Sequence, residues 1–322
     1  MRIAVTGGTG YVGTHTVRAF LAAGHQVRLL ITDSPTDAEI AERLAEHGEV
    51  ETLRGDVRDE GTVADLLDGA DAVWHAAGVV GTDYRRTRLM WEINAYATEQ
   101  LLRRAVTAGL DPVVSVSSYA ALFPPPNGVI GPDTPPAPGR SPYAKTKAYA
   151  DGVARKLQAE GAPVVVTYPS SVVGRPFLSA PGVTEQGWAP MVRRRVAPRM
   201  DGGMQMIDVR DVAEVHARLM VPGRGPKRYI CGGELLTFNQ MIDALEAGLG
   251  QPIRRIPLPQ AAFRAVGRIA DLVAPVLPLG DGLSYEAAVM LTAATPTDDS
   301  QTRAELGIAW RDPVQAIKES FA

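Results

Sequence analysis

The run Tyr143-Ala144-Lys145-Thr146-Lys147 places a phenol and an ammonium group four residues apart. On a helix, positions i and i+4 share a face. A free tyrosine has a pKa near 10, too high for efficient proton transfer at neutral pH. A lysine held nearby favours the phenolate and brings that value down. The pair therefore has the make-up of a proton-transfer group, although a surface helix with an unrelated tyrosine and lysine would carry the same spacing. Scarcity strengthens the chemical reading, since only five of the 33 basic residues are lysines: Lys145, Lys147, Lys156, Lys227 and Lys318. Ser117 and Ser118 end the apolar run Val113–Val116. A hydroxyl there either donates to a substrate carbonyl oxygen or satisfies a turn. Asn94 interrupts a helical apolar pattern, where asparagine is a poor residue. Its neighbours Met90, Ile93 and Ala97 put it on or near the buried face, where its amide would form hydrogen bonds.

A second group of residues suits phosphate. Thr6-Gly7-Gly8-Thr9-Gly10-Tyr11-Val12-Gly13 follows the apolar run Ile3–Val5 and opens a helical pattern. Gly7 and Gly10 let the backbone turn tightly and approach a pyrophosphate, and Gly13 allows close helix–strand packing. The helix N-terminus adds free N–H groups and the positive end of its dipole. A strand before and a helix after are the context that separates such a cradle from an ordinary glycine-rich turn. Asp56, in Arg54-Gly55-Asp56-Val57, follows the third apolar run, on the adenine side of such a cradle. It would equally serve as a cap for a helix beginning near Asp59.

These groups need a frame. Strand-like runs at Ile3–Val5, Val27–Ile31, Val50–Leu53, Ala72–Trp74, Val113–Val116 and Val164–Thr167 alternate with helical patterns over Val12–Ala23, Asp37–His47, Thr62–Leu67, Leu89–Ala108 and Pro142–Ala159. Ser141 is a good N-cap for the last helix and Pro142 a good first residue. The alternation predicts an α/β fold, a doubly wound parallel sheet with ligands at the carboxyl ends of its strands. Each residue singled out above lies at such an end or on the helix after it. Beyond residue 168 the alternation fades. Pro169–Gly203 reads as loops with short elements, and Phe123–Pro142, with eight prolines, as a stiff loop. Met206–Val209 and Tyr229–Cys231 read as strands returning to the sheet around a helix at Val212–Met220. Thr237–Gly248 and Ala261–Ala274 read as amphipathic helices. The expected division is a dinucleotide-binding domain over 1–168, with a returning segment 205–233, and a smaller, discontinuous C-terminal substrate lobe over 169–204 and 234–322.

Composition narrows the function classes. The 322 residues are 45% apolar and 21% charged, ordinary for a globular protein, and 33 basic against 36 acidic residues give a net charge of −3. No basic field argues for a nucleic-acid partner. The single cysteine, Cys231, leaves no disulfide framework or thiolate zinc cluster, and His15, His75 and His216 do not cluster with carboxylates at metal spacing. We therefore expect no metal and read these histidines as packing or surface residues. No nucleophile-elbow motif supports serine hydrolysis. The most apolar stretch, Ala261–Leu279, is interrupted by Arg264, Arg268 and Asp271, whereas a membrane span needs about 18 residues with few or no charges. The expectation is a soluble, cytoplasmic protein with a small-molecule substrate and no membrane or nucleic-acid partner.

Taken together, the motifs resemble the extended branch of the short-chain dehydrogenase/reductase superfamily, the NAD-dependent epimerase/dehydratase type. TGGTGYVG at 6–13 is similar to the branch's phosphate cradle, GDVRD at 55–59 to its adenine-side acidic motif, and HAAG at 75–78 to the strand end passing under the cofactor. Asn94, Ser118, Tyr143 and Lys147 match the Asn–Ser–Tyr–Lys tetrad. YPSSVVG at 168–174, IDVRDVA at 207–213, and DDS at 298–300 with ELG at 305–307 resemble later family segments. The resemblance implies a Rossmann-type fold and hydride transfer with a nicotinamide cofactor. Tyr143 would be the general acid or base, with Lys147 lowering its pKa and holding the nicotinamide ribose. Ser118 would polarise the substrate oxygen, and Asn94 would hold a water in a proton relay. Cofactor contacts would come from Gly7, Thr9, Gly10, Tyr11, Val12, Gly13, Thr32, Asp33, Asp56, Val57, Ala76, Ala77, Gly78, Ser117, Tyr143, Lys147, Pro169, Ser170 and Val172. A homodimer through the 89–108 and 142–159 helices is expected.

Within the branch, YPSSVVG is closer to the dihydroflavonol-reductase-like members, which reduce ketones or aldehydes. Tyr84, Tyr119, Phe123, Phe177, Trp188 and Met191 are candidate linings for a mostly apolar substrate. The alternative is a nucleotide-sugar epimerase or dehydratase, for which Arg193, Arg194, Arg195 and Arg199 would clamp a diphosphate. A cofactor-sensing protein without catalysis normally lacks the Tyr–Lys pair. The end of the second strand, Leu30-Ile31-Thr32-Asp33-Ser34, encodes cofactor choice weakly. Asp33 lies near the offset expected of an NAD-binding acid. Thr32 and Ser34, with Arg28 or Arg54, would instead meet a 2′-phosphate, and the balance points to NADP over NAD.

Overall fold

The computed structural model describes residues 1–81, 83–137, 139–273 and 284–321. The expected helix end at Ala274 and the 274–279 part of the apolar stretch lie outside them, as do Thr82 and Pro138 of the expected substrate-side loops.

The first half alternates β1 (Arg2–Thr6), α1 (Tyr11–Ala22), β2 (Gln26–Ile31), α2 (Pro35–Ala45), β3 (Val50–Arg54), α3 (Glu60–Leu67), β4 (Ala72–His75), α4 (Thr87–Met90), α5 (Thr98–Thr107), β5 (Val113–Val116), α6 (Pro142–Ala159) and β6 (Val164–Pro169). The second half adds β7 (Ser171–Val173), α7 (Val183–Arg194), β8 (Val196–Arg199), β9 (Gly203–Asp208), α8 (Val209–Leu219), β10 (Lys227–Cys231), β11 (Glu234–Thr237), α9 (Phe238–Leu249), β12 (Arg254–Pro257), α10 (Gln260–Val273), α11 (Tyr285–Ala293), α12 (Ser300–Leu306) and α13 (Pro313–Ser320).

Seven strands pair in parallel in the order β10-β6-β5-β4-β1-β2-β3. The order reverses between β1 and β4, which opens a crevice at their carboxyl ends. Apolar runs explain the central strands. β6 is buried at every position, as a parallel strand covered on both faces requires, while the edge strand β3 is largely exposed. One face of the sheet is covered by α3, α5 and α6 through Leu66, Leu101, Leu102 and Leu157. The other is covered by α1, α2 and α8 through Val17, Phe20, Leu44 and Val215. Each such fully buried side chain contributes about 1.5–3 kcal/mol. A third core joins Trp188, Met206, Leu236, Met241 and Ile317.

Three expectations need correction. The strand expected at Met206–Val209 does not return to the main sheet. It pairs as β9 with β7 and β11 in a separate three-stranded sheet, and β10 alone of the two closes the main sheet. Met206 then faces the third core, which a place in the main sheet would deny it. The helix expected unbroken over Leu89–Ala108 contains a π-helical stretch, Trp91–Ala97, between α4 and α5. The wider turn lets the Thr98 hydroxyl donate to the Ile93 carbonyl, five residues back, at 3.3 Å. Finally, 183–194 is a three-turn helix, longer than the short elements expected among loops there. Gly187 and the internal Pro190 disguise it in the sequence. Among the described residues no helix is long and apolar enough to cross a membrane.

Candidate active site

A cavity of about 1530 Å³ runs across the carboxyl ends of the main-sheet strands. The first helix turns of α1 and α6 form part of its floor, and residues of α7, α10 and α11 form the opposite wall. Its floor explains the glycines. Gly7 has φ +71°, and a Cβ on it would lie 2.6 Å from the Ala77 amide nitrogen. A Cβ on Gly13 would overlap the Gly7 carbonyl oxygen, so α1 can seat this closely on β1 only without one. Gly10 faces the opening and is the N-cap of α1, whose first amides carry no side-chain cap. An extended anion fits this cradle, with unfilled N–H donors and no side chain in the way.

At the other end, Ser141 caps α6 by accepting from the Ala144 amide at 3.1 Å. This cap aims the first turn, with Tyr143, into the cavity. Burial pushes the Tyr143 phenol above its usual pKa, and a hydrogen bond with Ser118 pulls it partly back. Lys147 is buried, which brings its ammonium down to about 8, and Nζ donates to the Val116 carbonyl at 3.0 Å. The ammonium turns to the end of β5, and the hydrogen bond with Ser118 opposes the effect of burial on the phenol. Ser118 also accepts from the Ala120 amide, the turn-satisfying reading of its hydroxyl. The Ser117 hydroxyl is buried on the cavity wall with no partner among the described residues.

Asn94 stands apart from the main cavity. It is fully buried in the π-helical stretch; its Oδ1 accepts from the Val79 amide at 2.7 Å and its Nδ2 donates to the Val79 carbonyl at 2.9 Å. It braces the segment after β4. A small separate cavity of about 10 Å³, of the order of one water molecule, lies between Asn94, Ser117 and Lys147.

Among the expected cofactor contacts, Asp33 alone does not line the main cavity. The acid there is Asp37, in the first turn of α2, which accepts from the Thr32 amide at 3.3 Å and from the Thr32 hydroxyl. Arg28 donates to Glu51 and to the carbonyls of Asp65, Leu66 and Asp68, and neither it nor Arg54 lines the cavity. Asp56 does line it, held below the ordinary carboxylate range by Arg58. The cap of α3 is Asp59, which accepts from the Thr62 amide at 2.7 Å. The capping alternative for Asp56 therefore falls.

The sequence profile of the NAD dependent epimerase/dehydratase family matches residues 3–232. The chain belongs to that family. It is an NAD(P)-dependent enzyme of the extended short-chain dehydrogenase/reductase type, an oxidoreductase. Sterol demethylase protein B of Methylococcus capsulatus is 28% identical over 327 residues, covering 100% of this chain and 98% of that protein. A 4-hydroxy-2-methyl-3-oxo-4-farnesyl-3,4-dihydroquinoline-1-oxide ketoreductase of Stigmatella aurantiaca is 26% identical over 325 residues, covering 97% and 92%. The solved structure of gox2253 superposes with a TM-score of 0.82 at 25% identity, over 99% of this chain and 96% of that one.

Several cavity residues of this family member were missed in the sequence. Of the six expected substrate-side linings, Tyr119, Trp188 and Met191 reach the cavity. Phe123 is in the core beside β5, and Phe177 packs on His15 and Arg18. Tyr84 is not on the wall. In their place stand Phe238, Phe263, Met290 and Leu291, from α9, α10 and α11. Their helical patterns look like ordinary core packing, and nothing local marks them. Glu286 was missed too. It lines the cavity and accepts from the Ser141 amide and hydroxyl, the latter at 3.0 Å, bracing the cap of α6 from α11.

Proposed function

We propose that the enzyme catalyses reversible hydride transfer to a ketone or aldehyde carbon on a small, mostly apolar molecule. The observation that carries this reading is the cavity wall facing Tyr143 and Ser118, built from Trp188, Met191, Phe263, Met290 and Leu291. Such a wall suits an apolar body whose carbonyl oxygen meets two hydroxyls. The relatives named for a sterol and for a farnesyl-bearing quinoline oxide support an apolar substrate. When bound, the nicotinamide supplies the hydride. Ser118 donates a hydrogen bond to the substrate oxygen, and Tyr143 delivers its proton there during reduction and removes it during oxidation. A phenol kept protonated by burial is poised for the reductive direction. Lys147 would hold the nicotinamide ribose, Gly7–Gly13 the pyrophosphate, and Asp56 the adenine end. Asn94 would steady the Val79 segment beside a one-water relay to Lys147.

For cofactor choice, Asp37 beside Thr32 favours the hydroxyl of NADH over the phosphate of NADPH, since a carboxylate repels a phosphate. With Arg28 engaged elsewhere, this reading departs from the sequence balance toward NADP. A homodimer is part of the proposal. Trp91, Tyr96 and Tyr149 form a ring cluster on the faces of the π-helical stretch and α6, and Tyr96 is 55% exposed. A cytoplasmic setting is supported by the lone, buried thiol of Cys231.

Redox accounting tests the reading. A reductase oxidises one NADH for each aryl or alkyl ketone reduced. The second reading, a nucleotide-sugar epimerase or dehydratase, is favoured by Arg193 and Arg194 on the cavity wall. Conversion of a UDP-, GDP- or dTDP-sugar with no net consumption of free cofactor would establish it instead.

A further inference from the structure

Tyr11, His15 and Arg18 fall at i, i+4 and i+7 of α1 and meet one strip of chain, 174–185. The Tyr11 hydroxyl donates to the Gly174 carbonyl at 2.7 Å and to Glu185 Oε1 at 3.1 Å. His15 Nε2 lies 3.1 Å from the Arg175 carbonyl oxygen, and the Arg18 guanidinium stacks 4.1 Å from the Phe177 ring centre. Glu185 is 3% exposed. Its Oε1 also accepts from the Gly174 amide at 3.0 Å and from the Ser320 hydroxyl at 3.3 Å, while Oε2 is buried with no partner among the described residues.

One carboxyl thus joins the glycine cradle, the end of β7, the first turn of α7 and the C-terminal helix α13. Burying a carboxyl with one oxygen unpaired costs free energy. An apolar side chain would fill the space without that cost, so packing alone does not account for it. Position supplies a reason. Tyr11 lines the cavity on one side, and Thr184, Gln186, Gly187 and Trp188 line it on the other. Glu185 is where the two walls are tied.

We propose that Glu185 is a positioning residue that registers α7 on the glycine cradle through Tyr11 and Gly174, so that dinucleotide binding and ordering of the substrate-side wall are one event. This rests on the functional reading above. The test is NADH titration by fluorescence, with backbone hydrogen exchange followed at 183–191, on the wild type, Tyr11→Phe, Glu185→Ala, Glu185→Gln and the Tyr11→Phe/Glu185→Ala double variant. NADH should slow exchange in α7 of the wild type. Tyr11→Phe and Glu185→Ala should each weaken NADH binding roughly fivefold and abolish that protection, while the double variant remains near fivefold because one connection has been cut twice. Glu185→Gln should restore most of the binding, since its amide oxygen still accepts at Oε1. Tyr11→Phe, a single-atom deletion, keeps the test decisive if the alanine variant melts early. Wild-type binding with no change in α7 exchange, or with Tyr11→Phe indistinguishable from it, would overturn this inference alone. Failure of the wild type to bind either NADH or NADPH would overturn it together with the functional reading.

Discussion

The floor and the facing wall of the cavity are made by different means. The floor is backbone and first-turn chemistry: strand ends, glycines that leave room for an anion, and Ser118, Tyr143 and Lys147 held by a cap and a carbonyl. The facing wall is side chains from α7, α9, α10 and α11, helices that turn apolar residues inward. On the proposed function, the floor sets the reaction type and the wall the substrate choice. The difference also implies that the floor tolerates little change and the wall a good deal.

The largest effect should come from Tyr143→Phe, which removes the proton but not the ring. Turnover should fall about 10³-fold while NADH still binds. Near wild-type kcat on an accepted ketone would remove the phenol from the chemistry. Acid should then separate the two regions. Burial lowers His75 and His216 to about 3 and His15 to about 4, from 6.5 in the unfolded chain. Between those values the unfolded state binds more protons, so the stability these residues confer is complete above about pH 6.5 and is lost as pH falls toward 4. Each contributes roughly 1.4 kcal/mol per unit. All five histidines lie in residues 15–216, outside α7 and α9–α11. Hydrogen exchange at pH 5 should therefore rise first in β4 and α8, and His216→Gln should flatten the pH slope of the melting temperature. Equal acceleration in α9 would contradict this.

Gly13→Ala comes next. The methyl group collides with the Gly7 carbonyl and should cost about 1–3 kcal/mol in a denaturant titration, with loss of NADH binding. Asp37→Asn should shift the NADPH-to-NADH affinity ratio about tenfold toward NADPH, since it removes the charge that opposes a 2′-phosphate. An unchanged ratio would place the ribose elsewhere. The smallest effect belongs to the wall. A Cβ on Gly187 meets nothing within 4 Å, and the residue is inside α7. Gly187→Ala should stabilise by about 0.5–1 kcal/mol and alter KM for substrate more than for NADH. A destabilised Gly187→Ala would show that the wall is as exacting as the floor.

The contrast also explains what was legible. Gly7–Gly13, Ser118, Tyr143 and Lys147 stood out because each is a local pattern with a chemical reason, and the strands that carry them are continuous apolar runs. Asp37 was passed over for Asp33 because spacing along the chain does not say which acid the first turn of α2 rotates inward. Phe123 and Phe177 read as linings because they lie in segments without helical or strand periodicity, which in sequence border the substrate side. In the fold one fills the core and the other stacks on Arg18.

The sequence by itself determined the parallel alternation, the glycine run between β1 and α1 and the placement of Tyr143 and Lys147 one turn apart on α6, because those depend on periodicity and on spacings of a few residues. Tertiary structure alone decided that Lys147 turns to Val116, that β9 leaves the main sheet, that Glu286 braces the cap of α6, and that Glu185 meets Tyr11 from 174 positions away. Those contacts follow from how whole helices pack, and a one-dimensional pattern records which face of a helix is apolar without recording what that face will meet.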